Sequence, residues 1–491
     1  MTDTVVSRAL VSLTEAAIDP LASPVFQQEL PGAQIAFDTG AMRALLQAQL
    51  FPASTRTITA CAIDQATYLP GEACVVRYFL TIADTNGATT QALVSAQAYP
   101  SREACATALR DKIAPLALLA SGHPAVGVFE QTVGLAGDQA LALFAYPIDG
   151  DLPSLLTASD GPAMLTTLAE HLPSIGVQVP SDSNCSAELV DYGRQRRCTL
   201  RYHISGTSEP AGTVVYGKLT GDGSGALASD ISAGLRAVGL RAPTGEAFRV
   251  PRVLAWLPEL KLSLLEAISG QDPIGELVKG RLRGKPAPAN TIELEQAVEA
   301  CARIGAALHS SGLGLGPRRS ADDELASLRR ALAHVERISP ELGALLLPHY
   351  ERVATVARQS PALPLCFNHG DFTPGQFLFD GTNSGLIDLD SVCQAEPALD
   401  VAQFLTYLTV GGQKSKLSAE ETHAFFTDLR TRFLQTYTSA LGADLGRLQT
   451  RVALYTSMSL LRRVLRSWQK MKPVRIAGAL QLLEESLSSA E

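Results

Sequence analysis

Three side chains between positions 371 and 388 combine types that could take up a proton and hold a hard cation: Asp371, Gln376 and Asp388. They lie in the stretch Asn368-His369-Gly370-Asp371-Phe372-Thr373-Pro374-Gly375-Gln376-Phe377-Leu378-Phe379. Asp380-Gly381-Thr382-Asn383-Ser384 and then Gly385-Leu386-Ile387-Asp388-Leu389-Asp390 follow. The pattern is a polar loop, a short apolar strand, a turn and a second apolar strand. A hairpin closing at that turn puts Phe377 roughly opposite Ile387, so Gln376 and Asp388 meet at its open end with Asp371 nearby. Amide and carboxylate oxygens suit magnesium, and phosphoryl transfer needs charge neutralisation and an aligned acceptor more than covalent help. One short segment can therefore supply a Mg²⁺-nucleotide site.

His369-Gly370-Asp371, the later amide and Ile387-Asp388 resemble the catalytic segment of aminoglycoside phosphotransferase-like and choline kinase-like small-molecule kinases. The resemblance implies that Asp371 orients and deprotonates an acceptor hydroxyl, while Gln376 and Asp388 hold Mg²⁺ on the phosphates of ATP. That family usually carries Asn where this chain has Gln376; the maltokinase-like branch also carries Gln. His369 is grouped with Asp371 as a catalytic residue that braces the loop backbone. Asp390 is a further candidate metal ligand, and Asp400 matches an acidic position that supports the catalytic loop by hydrogen bonding.

The fold implied is α+β and bilobal, protein kinase-like, with a β-rich N-lobe and a helical C-lobe. Tyr192, Cys198, Arg201 and Tyr202 match Tyr68, Cys74, Arg77 and Tyr78 at one constant offset. Each set is followed by a turn, a strand and a later apolar strand, which reads as an internal duplication of a β lobe. The expected organisation is a degenerate N-lobe-like cap at 1–160, a linker at 161–184, the nucleotide-binding N-lobe at 185–270 and the helical C-lobe with the catalytic hairpin at 271–491.

The two copies differ in one place that matters. The second ends an apolar strand with Lys218, a position that grips the nucleotide's phosphates in the family; the first has Gln97 there. Gln supplies no positive charge, so only the second copy is expected to bind nucleotide. Its loop carries Arg194 and Arg196, candidate phosphate contacts, in place of a glycine-rich pattern. The segment 264–268 is the expected hinge, with Glu266 and Ile268 placed to meet the adenine edge. Asp230 is the one mid-helix carboxylate available to pair with Lys218. In the C-lobe, 292–309, 323–338, 341–359, 448–471 and 476–488 read as helices. Arg462, Arg463 and Arg466 read as a solvated basic face, and Gln271, Asp272 and Glu396 fall near the cleft by chain position.

Composition narrows the function classes. The 491 residues are 46% hydrophobic and 18% charged, with a formal net charge of −8. No run approaches the ~18 apolar residues of a spanning helix, and the acidic balance argues against a nucleic-acid partner. Eight cysteines without a C-x-x-C pair fit free buried thiols and a cytoplasmic setting. The expected activity is ATP-dependent O-phosphotransfer to a small hydroxylated molecule, a sugar, an aminoglycoside-like compound or another metabolite. A nucleotide-binding pseudokinase or regulatory protein is the alternative, favoured by Gln376 and the missing glycine loop.

Overall fold

The computed structural model describes residues 18–193, 197–206, 212–241, 247–285, 292–381, 383–410, 415–442 and 445–488. The chain opens with short helices and then helix α1 (Thr39–Leu50), capped by Asp38, whose carboxylate accepts from the Gly40 and Ala41 N–H groups. Its Met42, Leu46 and Leu50 face inward. Strands β1 (Thr57–Leu69), β2 (Ala73–Ala83) and β3 (Thr89–Ala98) form an antiparallel meander; helix α2 (Arg102–Ala108) then precedes β4 (Val133–Ala136) and β5 (Leu141–Ala145). The sheet order is β1-β2-β3-β5-β4.

The plan then recurs. Helix α3 (Gly161–His171) is capped by Asp160 and buries Met164 and Leu168. It is followed by β6 (Asn184–Gly193), β7 (Arg197–Ser205), β8 (Thr213–Thr220), helix α4 (Ala228–Arg241), a short β9 (Phe248–Arg249), β10 (Val253–Leu257) and β11 (Leu262–Glu266). The second sheet runs β6-β7-β8-β11-β10, the same order as the first. Details agree as well. Tyr68 faces Cys74 and Tyr192 faces Cys198. Arg77 pairs with Asp64, and Arg201 with Glu188. The buried hydroxyls of Tyr78 and Tyr202 donate to the Ala36 and Ala158 carbonyls, each in the short helix before its copy's capped helix. The stretch expected as a linker contains α3, whose Met164 and Leu168 share one apolar cluster with Cys198, Leu200 and Leu264 of the second sheet.

The remainder is mostly helical: α5 (Ile274–Leu282), α6 (Leu294–His309), α7 (Ala321–Ile338), α8 (Pro340–Gln359), α9 (Ala398–Val410), α10 (Ala419–Leu441), α11 (Leu445–Gln469) and α12 (Val474–Ser488). Between α8 and α9 lie β12 (Cys366–Asn368), β13 (Phe377–Phe379), β14 (Ser384–Leu386) and β15 (Cys393–Ala395). β12 pairs with β15, which closes a loop around residues 369–392; β14 pairs with β9, which ties the hairpin to the second β lobe. Among the described residues no helix is long and apolar enough to cross a membrane. The eight cysteines are free, six of them buried.

Candidate active site

The catalytic hairpin forms with Phe377 opposite Leu386, one residue short of the expected Ile387. The Ile387 N–H instead donates to the Gln376 carbonyl at 3.0 Å, which draws the two strand ends together. The Gln376 amide nitrogen consequently lies 3.3 Å from Asp371 Oδ2 and 3.4 Å from Asp388 Oδ2. Turning the amide over places its oxygen at the same spot, because bonding partners and not shape distinguish the two orientations. Asp371, Gln376 and Asp388 thus form one cluster.

Lys218 reaches that cluster from β8. Its Nζ is 2.5 Å from Asp388 Oδ1 and 3.2 Å from Asp390 Oδ2. Arg197, the first residue of β7, lies 3.9 Å from Asp390. Asp230, the carboxylate considered for Lys218, is exposed in the first turn of α4, and the lysine's partners come from the hairpin instead. The charges set the two carboxylates apart. Burial and the neighbouring Asp388 charge raise the pKa of Asp371, against the opposing pull of His369 and Arg466. Burial also acts to raise Asp388, but the Lys218 ammonium outweighs it and holds that carboxyl below the usual range. A pair pushed in opposite directions provides one group that takes up a proton more readily than an ordinary carboxylate and one that stays ionised.

The loop that carries Asp371 is fixed from beneath. Gly370 adopts φ of +76°, and a Cβ there would stand 1.9 Å from the Ser391 carbonyl oxygen, so no other residue fits. Asp388 also adopts a left-handed conformation, φ 63°; such strain persists where surrounding contacts over-determine it. Asp400, fully buried, accepts from the His369 N–H at 2.7 Å and the Gly370 N–H at 2.9 Å, and its Oδ2 lies 3.2 Å from His309 Nε2. His309 in turn meets the Tyr437 hydroxyl at 2.6 Å. His369 is enclosed: its Nε2 is 2.9 Å from the Ile387 carbonyl and its Nδ1 accepts from the Asp371 N–H. Both ring nitrogens are spent on backbone.

Two contributors escaped the sequence reading. Gln403 accepts from the Phe372 N–H and donates to the Gly370 carbonyl, each at 3.0 Å. Phe372, Phe377, Phe404 and Phe433 form a continuous aromatic cluster, stacked only at Phe404–Phe433 and edge-on or tilted elsewhere, with centroids 4.7–5.9 Å apart between neighbours. Phe372 follows Asp371 and Phe377 follows Gln376, so the cluster anchors both. The readable signal was Gln403-Phe404 one helical turn after Asp400, on the inward face of α9.

Other expectations fared differently. Arg194 and Arg196 lie outside the described residues. The Glu266 N–H is given to the Arg252 carbonyl at 2.9 Å; Ile268 packs against Gly385 of the hairpin. Gln271 exchanges two backbone hydrogen bonds with Phe379, and Asp272 lies beside Gly375, so both border the hairpin. Glu396 is buried away from it in an ion pair with Arg451, completed by the Tyr455 hydroxyl and the Leu363 N–H. Of the basic run only Arg466 is exposed; Arg462 and Arg463 are half-buried. Arg462 pairs with buried Glu324, which Arg319 also contacts, and burial beside Arg319 and Arg466 pushes its pKa down to about 9. Arg463 lies over the Tyr407 ring at 5.7 Å.

Among the described residues no three His, Cys, Asp or Glu side chains gather as a self-standing metal site. Asp388 has Gln376 beside Oδ2 and shares the Lys218 ammonium with Asp390 through Oδ1, so the three carry hard oxygens of the kind magnesium takes when substrate phosphates supply further ligands. The donor set fits a nucleotide-bound Mg²⁺.

Residues 231–450 match the model of the phosphotransferase enzyme family, which spans the whole hairpin and its supporting helices. The match covers 220 of the 491 residues. No curated protein matches it. Among solved structures, choline kinase from Cryptosporidium parvum is 14% identical over 66% of this chain and 96% of its own, with a TM-score of 0.45. Ethanolamine kinase from Plasmodium vivax is 13% identical over 62% and 83%, TM-score 0.42. A GDP and kanamycin complex of an aminoglycoside 2″-phosphotransferase is 16% identical over 66% and 98%, TM-score 0.40. The likeness to the phosphotransferase enzyme family rests on the matched segment.

Proposed function

We propose that the protein transfers the γ-phosphoryl group of ATP to a hydroxyl of a small molecule, with the second β lobe and the catalytic hairpin forming the site. The observation that carries this reading is the convergence of Asp371 and Asp388 on one amide, with Lys218 closing from the opposite lobe. Asp371, raised by burial, takes the proton as the acceptor oxygen forms its bond to phosphorus; the bond broken is that between phosphorus and the bridging oxygen of the departing ADP. Lys218 and Arg197 offset charge on the phosphates. Asp388 and Gln376 are the groups that would hold Mg²⁺, with Asp390 beside them; the cation neutralises phosphate charge when bound. Asp400, Gln403 and His369 position the loop without touching substrate, so His369 belongs with the bracing groups rather than with Asp371.

The test is incubation with Mg-ATP and a panel of hydroxylated sugars, amino alcohols and aminoglycosides, read by mass spectrometry. Gain of one phosphate on an acceptor, lost in Asp371→Ala, is the expected outcome. ATP bound but no acceptor modified, with Asp371→Ala behaving as the parent, would favour a nucleotide-binding protein without transfer activity.

A further inference from the structure

Three arginines gather beside the catalytic loop, and the transfer proposed above makes no use of their charge. From Leu445 to Leu483 the chain holds eight Lys or Arg and no Asp or Glu, in a protein of net charge −8. Helix α11 carries most of them, so it brings positive charge with no compensation of its own. Arg462 and Arg466 are one turn apart and share a face. Arg462 contacts Glu324 in the first turn of α7, and Arg463 lies over the Tyr407 ring of α9. Arg466 therefore emerges near the start of α7 and the end of α9, exposed and close enough to act on the Asp371 carboxylate.

The third arginine comes from the loop before α7. The Arg319 N–H donates to the Gln394 carbonyl at 3.0 Å, and its side chain contacts Glu324. Gln394 follows Cys393, whose Sγ would stand 3.4 Å from a Cβ on Gly370, the residue before Asp371. Glu324, 3% exposed, is thus shared by Arg319 and Arg462 and answers one positive charge of the three. The crowding tells on Arg462, whose pKa is depressed by burial, Arg319 and Arg466. Neighbouring carboxylates do not relieve it. Asp323 accepts from the Ser320 N–H and hydroxyl as a helix cap. Asp322 is exposed and stands about 200° around α7 from Glu324. Among the described residues no carboxylate comes within ion-pair distance of Arg466.

A guanidinium that acts on the base without pairing with it leaves room between the two. The acceptor hydroxyl must fill the Asp371 end of that space, which turns the rest of the acceptor toward Arg466. Guanidinium offers a planar fork of N–H groups that matches the oxygens of carboxylate and phosphate. A cationic acceptor would meet like charge there.

We infer that the acceptor carries an anionic group, carboxylate or phosphate, which Arg466 holds with Arg319 and Arg462 behind it while the hydroxyl is presented to Asp371. The inference rests on the transfer activity proposed above. The anion is a handle: it takes no part in the bonds made and broken.

The test uses matched acceptors on small carbon skeletons of increasing length, each as a neutral polyol, an amino alcohol, a hydroxy acid and a polyol phosphate. Phosphorylation by Mg-ATP is read by mass spectrometry and then by kinetics. An anionic member is expected to exceed the neutral and amino members of its skeleton by about tenfold or more in kcat/KM. Preference for the hydroxy acid or for the polyol phosphate identifies the anion. With the best anionic acceptor, Arg466→Gln should raise its KM about 10–100-fold, the worth of hydrogen bonds to a charged group, and leave KM for Mg-ATP within twofold. Arg466→Lys keeps the charge without the fork and should recover part of the loss. Arg447→Gln removes an exposed arginine near the other end of α11 and should leave both KM values unchanged. Equal or faster turnover of a neutral or amino member overturns the inference and leaves the transfer reading standing. An unchanged acceptor KM in Arg466→Gln, or a rise in KM for Mg-ATP in its place, does the same. Mg-ATP bound with no member of any set phosphorylated removes the transfer reading and the inference with it.

Discussion

The chain contains two β lobes of one design, and their difference comes down to what stands at one register position. Val75 faces Gln97 in the first sheet and Thr199 faces Lys218 in the second, so the structure aligns the amide with the ammonium. Around that position the copies agree in strand order, in the Tyr–Cys pair, in the arginine–carboxylate pair and in the buried tyrosine hydroxyl. What the second lobe adds is a cation that can leave one set of carboxylates for phosphate oxygens, and a hairpin partner that supplies those carboxylates. What the first lobe retains is its architecture, turned toward its neighbour. A fold can thus be copied intact while one register position exchanges an amide for an ammonium, because the shared contacts are those that close the sheet.

The contrast can be broken most severely at the hairpin. Asp371→Asn keeps the shape but removes the base, and transfer should fall by roughly 10²–10⁴-fold while Mg-ATP still binds, as measured by single-turnover phosphate transfer and calorimetry. Lys218→Met should lower kcat/KM by about two orders of magnitude, whereas Gln97→Met, its counterpart, should leave it within twofold. Asp400→Asn removes the charge that receives the His369 and Gly370 N–H groups, and a drop of roughly 10–100-fold in kcat with intact ATP affinity would place it in support of the loop.

Smaller effects sharpen the same contrast. Asp371 works as a base when ionised, and its pKa is raised by burial and by Asp388. Activity should therefore disappear as pH falls through a value above the ordinary carboxylate figure of about 4. Arg466 pulls the other way, so Arg466→Gln should move that acid limb to higher pH in a kcat/KM profile. Gln376→Asn keeps the amide on a shorter arm and should retain activity within roughly tenfold of the parent; complete loss would count against its role beside Asp388.

Much of this was legible in residue order, and the exceptions have physical causes. Local chemistry announced itself: the turn residues at 380–384 predicted the hairpin, and the constant offset from Tyr68 to Tyr192 exposed the duplication. The register slipped by one because the hairpin pattern does not reveal that Ile387 bonds back to the Gln376 carbonyl. The helix at 161–171 read as a linker since its short amphipathic stripe does not name its partner sheet. Yet Asp38 and Asp160, each three residues before an Ala-Met pair, repeat the first lobe's capped helix and would have placed it. Glu396 and Arg462 misled for another reason. A charged residue reads as exposed unless its partner is known, and Arg451 and Glu324 lie 55 and 138 positions away in the chain. Which N–H groups of the expected hinge remain available depends on a bond to Arg252 that only the folded sheet shows.

Whether one lobe binds nucleotide and the other does not is read directly by calorimetric titration with Mg-ATP. One site per chain is predicted, abolished by Lys218→Met and not duplicated by Gln97→Lys. Two sites in the parent, or one that survives Lys218→Met, would contradict it.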